Sequence, residues 1–125
     1  MLSGVNVVVA LASGAFAAVA IASPSALVGS PVVPGRATDF YVDMYAIRAF
    51  VITAGIVAAS LTMRRTPRVT AIVLASGGLV QLGDVVVAAR LGTAGLLGAT
   101  VAAAVHLASA AVLTRGLRRR ARPVP

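Results

Sequence analysis

The chain contains no cysteine, no lysine, no glutamate and no tryptophan. Without cysteine there is no disulfide framework and no thiolate chemistry, and the redox compartment is not encoded. With no glutamate, three acidic residues and one histidine in 125 residues, ligands for a metal centre are nearly absent. Asp84 and His106 would have no third protein ligand at their depth, so no metal is expected. Phosphate-loop, Rossmann and nucleophile-elbow motifs are also missing, and the pair Gly77-Gly78 falls inside an apolar run, so no cofactor is expected. Charge is scarce as well: 11% of residues are charged against 59% hydrophobic, with a mean hydropathy of +0.99. That balance excludes an ordinary water-soluble domain and indicates an integral membrane protein with the lipid bilayer as its first partner.

The basic residues that are present are all arginine, and the net charge is +8. A basic balance can signal nucleic acid, but here most arginines form two clusters beside apolar runs, Arg64/Arg65/Arg68 and Arg115/Arg118/Arg119/Arg120/Arg122. No basic face with interleaved aromatics exists, so no nucleic-acid partner is expected. The clusters instead carry the positive-inside signal, and the tail would also contact anionic lipid. Arginine without lysine, with heavy use of Ala, Val and Gly, suggests a GC-rich bacterial genome and hence a bacterial inner (plasma) membrane.

A hydrocarbon core needs about 20 apolar residues per helix, and four stretches supply them: residues 5–22, 45–62, 69–89 and 94–113. The expected fold is all-α, a four-helix transmembrane bundle over residues 1–114 followed by a basic tail, 115–125. The arginine clusters place both termini on the cytoplasmic side, leaving Arg36 and Arg90 as the basic residues of the outer loops. The first span has a rival reading as a cleaved signal peptide, since Ala20-Ile21-Ala22 resembles a cleavage site. No basic segment precedes it, which favours an uncleaved anchor. The loop 23–44 holds Pro24, Pro31 and Pro34, and its apolar middle, residues 26–33, is an ordinary loop or a re-entrant lid.

Two ionisable residues break the apolar runs. Arg48 lies about 21 Å up the second span from Thr62, and Asp84 about 22 Å up the third from Val69, so the two are expected level with each other in the outer half. An ionisable group in a bilayer costs roughly 2.5–3.5 kcal/mol on insertion scales and therefore seeks a partner inside the protein. Spacing puts Gly77, Gln81, Asp84 and Ala88 on one stripe, and Tyr41, Tyr45, Arg48, Ile52 and Gly55 on another if the second helix begins early. The fourth span offers Gly92, Gly95, Ala99, Ala103, His106 and Ala110, and the first Asn6, Ser13, Gly14 and Ala17. Small residues let membrane helices approach closely, so these stripes are expected to face one another.

The expected site is a polar pocket open towards the outside, with Arg48, Asp84, Gln81, Tyr45 and His106 as ligand-binding residues. Asp39, Tyr41 and Asp43 would add to its lining, with Arg90 at the rim and His106 deeper. Each residue has a plainer reading: a structural ion pair for Arg48 and Asp84, interhelical hydrogen bonds for His106 and Gln81, an interfacial belt for the tyrosines. Thr38 or Asp39 is a candidate cap of the second helix.

Tyr45, Arg48 and Gly55, then Gly77, Gln81, Gly83 and Asp84, then His106 with Leu107, resemble the spaced residues of a family of small four-helix membrane proteins, domain of unknown function 4267, close in layout to the DoxX-like group. The resemblance covers most of the chain and implies the same fold and site position. The family reads arginine followed by aspartate on the second helix, whereas Ala49 follows Arg48 here.

Three function classes follow. The first is a binding or accessory membrane protein holding an amphipathic or anionic small molecule on Arg48. The second is a membrane-embedded isomerase or cyclase for a lipophilic substrate, with Asp84 or His106 as catalytic acid or base; a carboxylate paired with arginine is a poor proton donor, which counts against it. The third is a dimeric exporter of the small multidrug type, matched by span number, although the first span has Ser3, Asn6 and Ser13 where those proteins carry a carboxylate. Only the third class requires a homo-oligomer.

Overall fold

A computed structural model describes residues 1–25, 31, 33, 35–93 and 95–121. Among these residues the fold is all-α, with four long helices: α1 (Leu2–Ala22), α2 (Arg36–Leu61), α3 (Pro67–Leu91) and α4 (Gly95–Arg120). All four are long and apolar enough to cross a membrane. At 21 to 26 residues they measure about 31 to 39 Å, against a hydrocarbon thickness of about 30 Å.

The helices outrun their apolar segments, and for three of them local chemistry sets the ends. α2 begins at Arg36, not at 45, because the polar turns 36–44 are compatible with helix and Gly35 stands just before them. Gly35 is therefore the N-cap, and Thr38 and Asp39, expected as caps, lie inside the first turn; the Thr38 hydroxyl donates to the Val33 carbonyl at 3.0 Å. α3 starts with Pro67 at its first position, where a missing N–H costs nothing, and ends at Gly92. Gly92 has φ +63°, a left-handed conformation that glycine adopts without strain, and Thr93 N–H closes the end by donating to the Ala88 carbonyl at 3.1 Å. α4 runs on through Arg115, Arg118, Arg119 and Arg120, so this part of the expected tail is helical. Arginine is a good helix former, and positive charge is favourable at a helix C-terminus. Arg122 and most of the expected lid, 26–33, lie outside the described residues.

Pairings across the bundle fix an up-and-down order. Ser3 Oγ donates to the Ser60 carbonyl (2.7 Å) and Thr53 Oγ1 to the Ala10 carbonyl (3.1 Å), which sets α1 antiparallel to α2. Thr70 Oγ1 donates to the Ala59 carbonyl (2.9 Å), joining α2 to α3. The tightest packing is within two hairpins, α3 on α4 and α1 on α2, and the hairpins meet more loosely along α1–α4 and α2–α3. The core of Ala10, Ile56, Leu74 and Ala110 lies towards the end that holds Ser3, Ser60 and Thr70, called here the closed end.

Two glycines allow that closure. A Cβ on Gly77 would sit 2.7 Å from Ile56 Cδ1, and one on Gly78 would sit 2.6 Å from Leu107 Cγ and 3.2 Å from the Leu107 backbone nitrogen. Gly83, one and a half turns on, has open space around it. Gly78→Val should therefore lower stability by about 1–3 kcal/mol, since the obstacle includes backbone and cannot swing aside. Gly83→Ala should be neutral or stabilising by up to about 1 kcal/mol. Thermal unfolding in detergent checks the pair; equal effects at both positions would show that α3 does not approach α4 this closely.

Candidate functional site

Towards the other end the hairpins diverge and leave a half-open cavity of about 1000 Å³, lined from all four helices. Its walls are mostly apolar: Phe16 from α1, Val42 and Ile52 from α2, Val87 and Leu91 from α3, Val101 from α4. Polar lining comes from Ser13, Thr38, Tyr41, Tyr45, Gln81 and Thr93, with Arg48 and Asp84 as the charged residues among those described.

Arg48 and Asp84 meet across the gap between the hairpins. Arg48 Nη2 donates to Asp84 Oδ1 at 2.5 Å, the one salt bridge among the described residues. The two are level because α2 and α3 are antiparallel from a shared register: Ile56 lies against Gly77, and Arg48 and Asp84 lie eight and seven residues further on respectively, about 12 and 10 Å of rise. Tyr45, one turn before Arg48, places its ring under the guanidinium at 5.5 Å, a cation–π distance. The arginine side chain is 46% exposed and the aspartate 22%, so both are accessible from the cavity. One guanidinium nitrogen is engaged; the other N–H groups and Asp84 Oδ2 have no hydrogen-bond partner among the described residues.

Of the sequence-predicted site residues, Arg48, Asp84, Gln81 and Tyr45 surround the cavity, as does Tyr41. Asp39, Asp43 and Arg90 are exposed and outside its lining. His106 does not reach it either. Leu107 packs on Gly78, six residues before Asp84, which sets the preceding His106 roughly 7–8 Å of helical rise nearer the closed end than Asp84.

His106 belongs to a second polar group. It is fully buried, with Nδ1 2.8 Å from Asn6 Oδ1, while Asn6 Nδ2 donates to Ser109 Oγ (2.8 Å) and to the Leu2 carbonyl (2.9 Å). A carbonyl only accepts, so the contact to Leu2 fixes which end of the Asn6 amide is nitrogen. Oδ1 therefore faces the imidazole, and Nδ1 must carry a proton to donate to it. His106 Nε2 has no partner among the described residues, as is also true of the buried Ser60 Oγ. This trio ties α1 to α4 near the closed end. Ser109 escaped the sequence reading; its position three residues after His106, on the same helical face, was the available signal. Ser13, Phe16 and Thr93 were likewise not foreseen as cavity lining, because their contribution depends on how far the hairpins splay.

Compared with known proteins, the chain matches no family model, no curated protein and no solved structure.

A double-mutant cycle tests the bridge. Arg48→Leu and Asp84→Leu should each destabilise the protein by leaving the partner's charge uncompensated, and the double variant should recover part of the loss, with a coupling of about 1–3 kcal/mol. Unfolding free energies that add to within about 0.5 kcal/mol would mean that the two charges do not interact.

Proposed function

We propose that this chain is a multi-pass membrane protein of the binding or accessory kind, holding an amphipathic small molecule in the cavity with its polar head at Arg48 and Asp84. The observation that carries this reading is a cavity of about 1000 Å³ with apolar walls and a single ion pair in its lining among the described residues. Ligand sites are typically concave and largely apolar, with a few convergent polar groups that set orientation. An ionisable pair placed among membrane spans is a functional-site hypothesis by default. The resemblance to domain of unknown function 4267 supports the same position for the site, with Ala49 leaving room where that family has a second acid.

Native mass spectrometry of the detergent-purified protein tests the reading. A small molecule should copurify, Arg48→Ala should abolish its retention, and Ala99→Phe, which fills the cavity from α4 and leaves both charges in place, should reduce it by about tenfold or more. A bare wild-type protein after exposure to membrane lipid extract, or an adduct that both variants keep, would sink the proposal.

Both termini are assigned to the cytoplasm, on the strength of the arginine clusters Arg64/Arg65/Arg68 and Arg115 to Arg120 at one end of the bundle against Arg36 and Arg90 at the other. The first span is taken as retained, because Asn6 supplies the α1 side of the buried trio. Epitope tags at each terminus should both be protected in right-side-out spheroplasts. An accessible N-terminal tag, or one lost by cleavage after Ala22, would overturn this assignment.

A further inference from the structure

We infer that the head group taken by this cavity is uncharged and bears a hydroxyl, as in a long-chain alcohol or an acylglycerol, and is not an anion. The inference rests on the binding role proposed above and narrows its ligand. Arg48 taken alone would attract a carboxylate or phosphate. It is not alone, because Asp84 already meets it, and no other charged residue among those described lines the cavity. The formal charge of the lining is therefore zero. An anion would have to displace Asp84 from the guanidinium or enter as an uncompensated charge between apolar walls, and either is costly. An ammonium head meets the same obstacle with the sign reversed.

The groups left over define what does fit. Arg48 keeps N–H donors, Asp84 keeps Oδ2 as an acceptor, and the two belong to side chains in direct contact. A head that accepts from one and donates to the other satisfies both without disturbing their bond. A hydroxyl does this with a single oxygen. A carbonyl or ether can only accept and would leave the carboxylate oxygen unserved. The apolar walls, including Phe16, Ile52 and Val101, then receive the hydrocarbon portion.

The test compares ligands of one chain length on the purified wild-type protein by thermal shift and native mass spectrometry: hexadecanol, hexadecanoate at about pH 9 where the acid is ionised, hexadecylamine and hexadecane, with dioleoylglycerol as the acylglycerol arm. Hexadecanol or dioleoylglycerol should bind at least about tenfold more tightly than the anion, the amine and the alkane. Which of the two binds better identifies the source of the hydroxyl. In Asp84→Asn the order should reverse, with hexadecanoate overtaking hexadecanol, because Arg48 has then lost its counter-charge. A merely structural ion pair would not reverse a ligand preference. Tighter binding of hexadecanoate by the wild type overturns this inference while leaving the binding role intact. Binding of none of the five overturns both, and the wild-type comparison decides even if the variant fails to fold.

Discussion

Most polar side chains in this bundle find partners within it, and much of its arrangement follows from that requirement. Asn6, Ser60, Thr70, His106 and Ser109 are buried, whereas Leu11, Val19, Phe50, Leu79, Val112 and other large apolar side chains are exposed on the outside of the bundle. That is the reverse of a water-soluble bundle and the expected order where the surroundings are hydrocarbon. Of the twelve buried apolar residues among those described, ten are alanine, so helix association does not depend on burying large apolar side chains. Close backbone approach at Gly77 and Gly78 and hydrogen bonds between helices take its place.

The same requirement divides the molecule along its length. Near the closed end, Asn6 with His106 and Ser109, Thr70 with Ala59, and Ile56 against Gly77 join one hairpin to the other. Beyond them the salt bridge of Arg48 and Asp84 is the polar link between hairpins among the described residues, and the space around it is open. A bundle packed evenly throughout would have no room for a ligand. Here the two halves share a backbone design and differ in the side chains that meet across it.

The four helices and the level placement of Arg48 and Asp84 were legible in the sequence, because helical rise is regular and two ionisable residues stand out in apolar runs. Helix ends were less legible, since hydropathy marks where lipid-facing residues stop and not where the backbone leaves the helix; α2 and α4 both continue through polar turns. The grouping of Tyr45, Gln81, Arg48 and Asp84 around one space followed from their spacing. His106 was drawn into that group by its isolation, and its real neighbours, Asn6 and Ser109, could be identified only once the register of α1 against α4 was known. Sequence periodicity gives the face of a residue on its own helix but not the sliding of one helix along another.

The way Asn6 holds His106 limits what that imidazole can do. A ring that passes protons along a chain takes one up on one nitrogen, releases one from the other, and must then regain its starting form. The Leu2 carbonyl keeps the amide of Asn6 turned so that its oxygen faces Nδ1, and an amide oxygen has no proton to give back. On that side the imidazole meets a dead end, so hydrogen-ion current along the bundle axis has no route through the Asn6 contact, and the buried histidine serves as a fastening between the first and last helices.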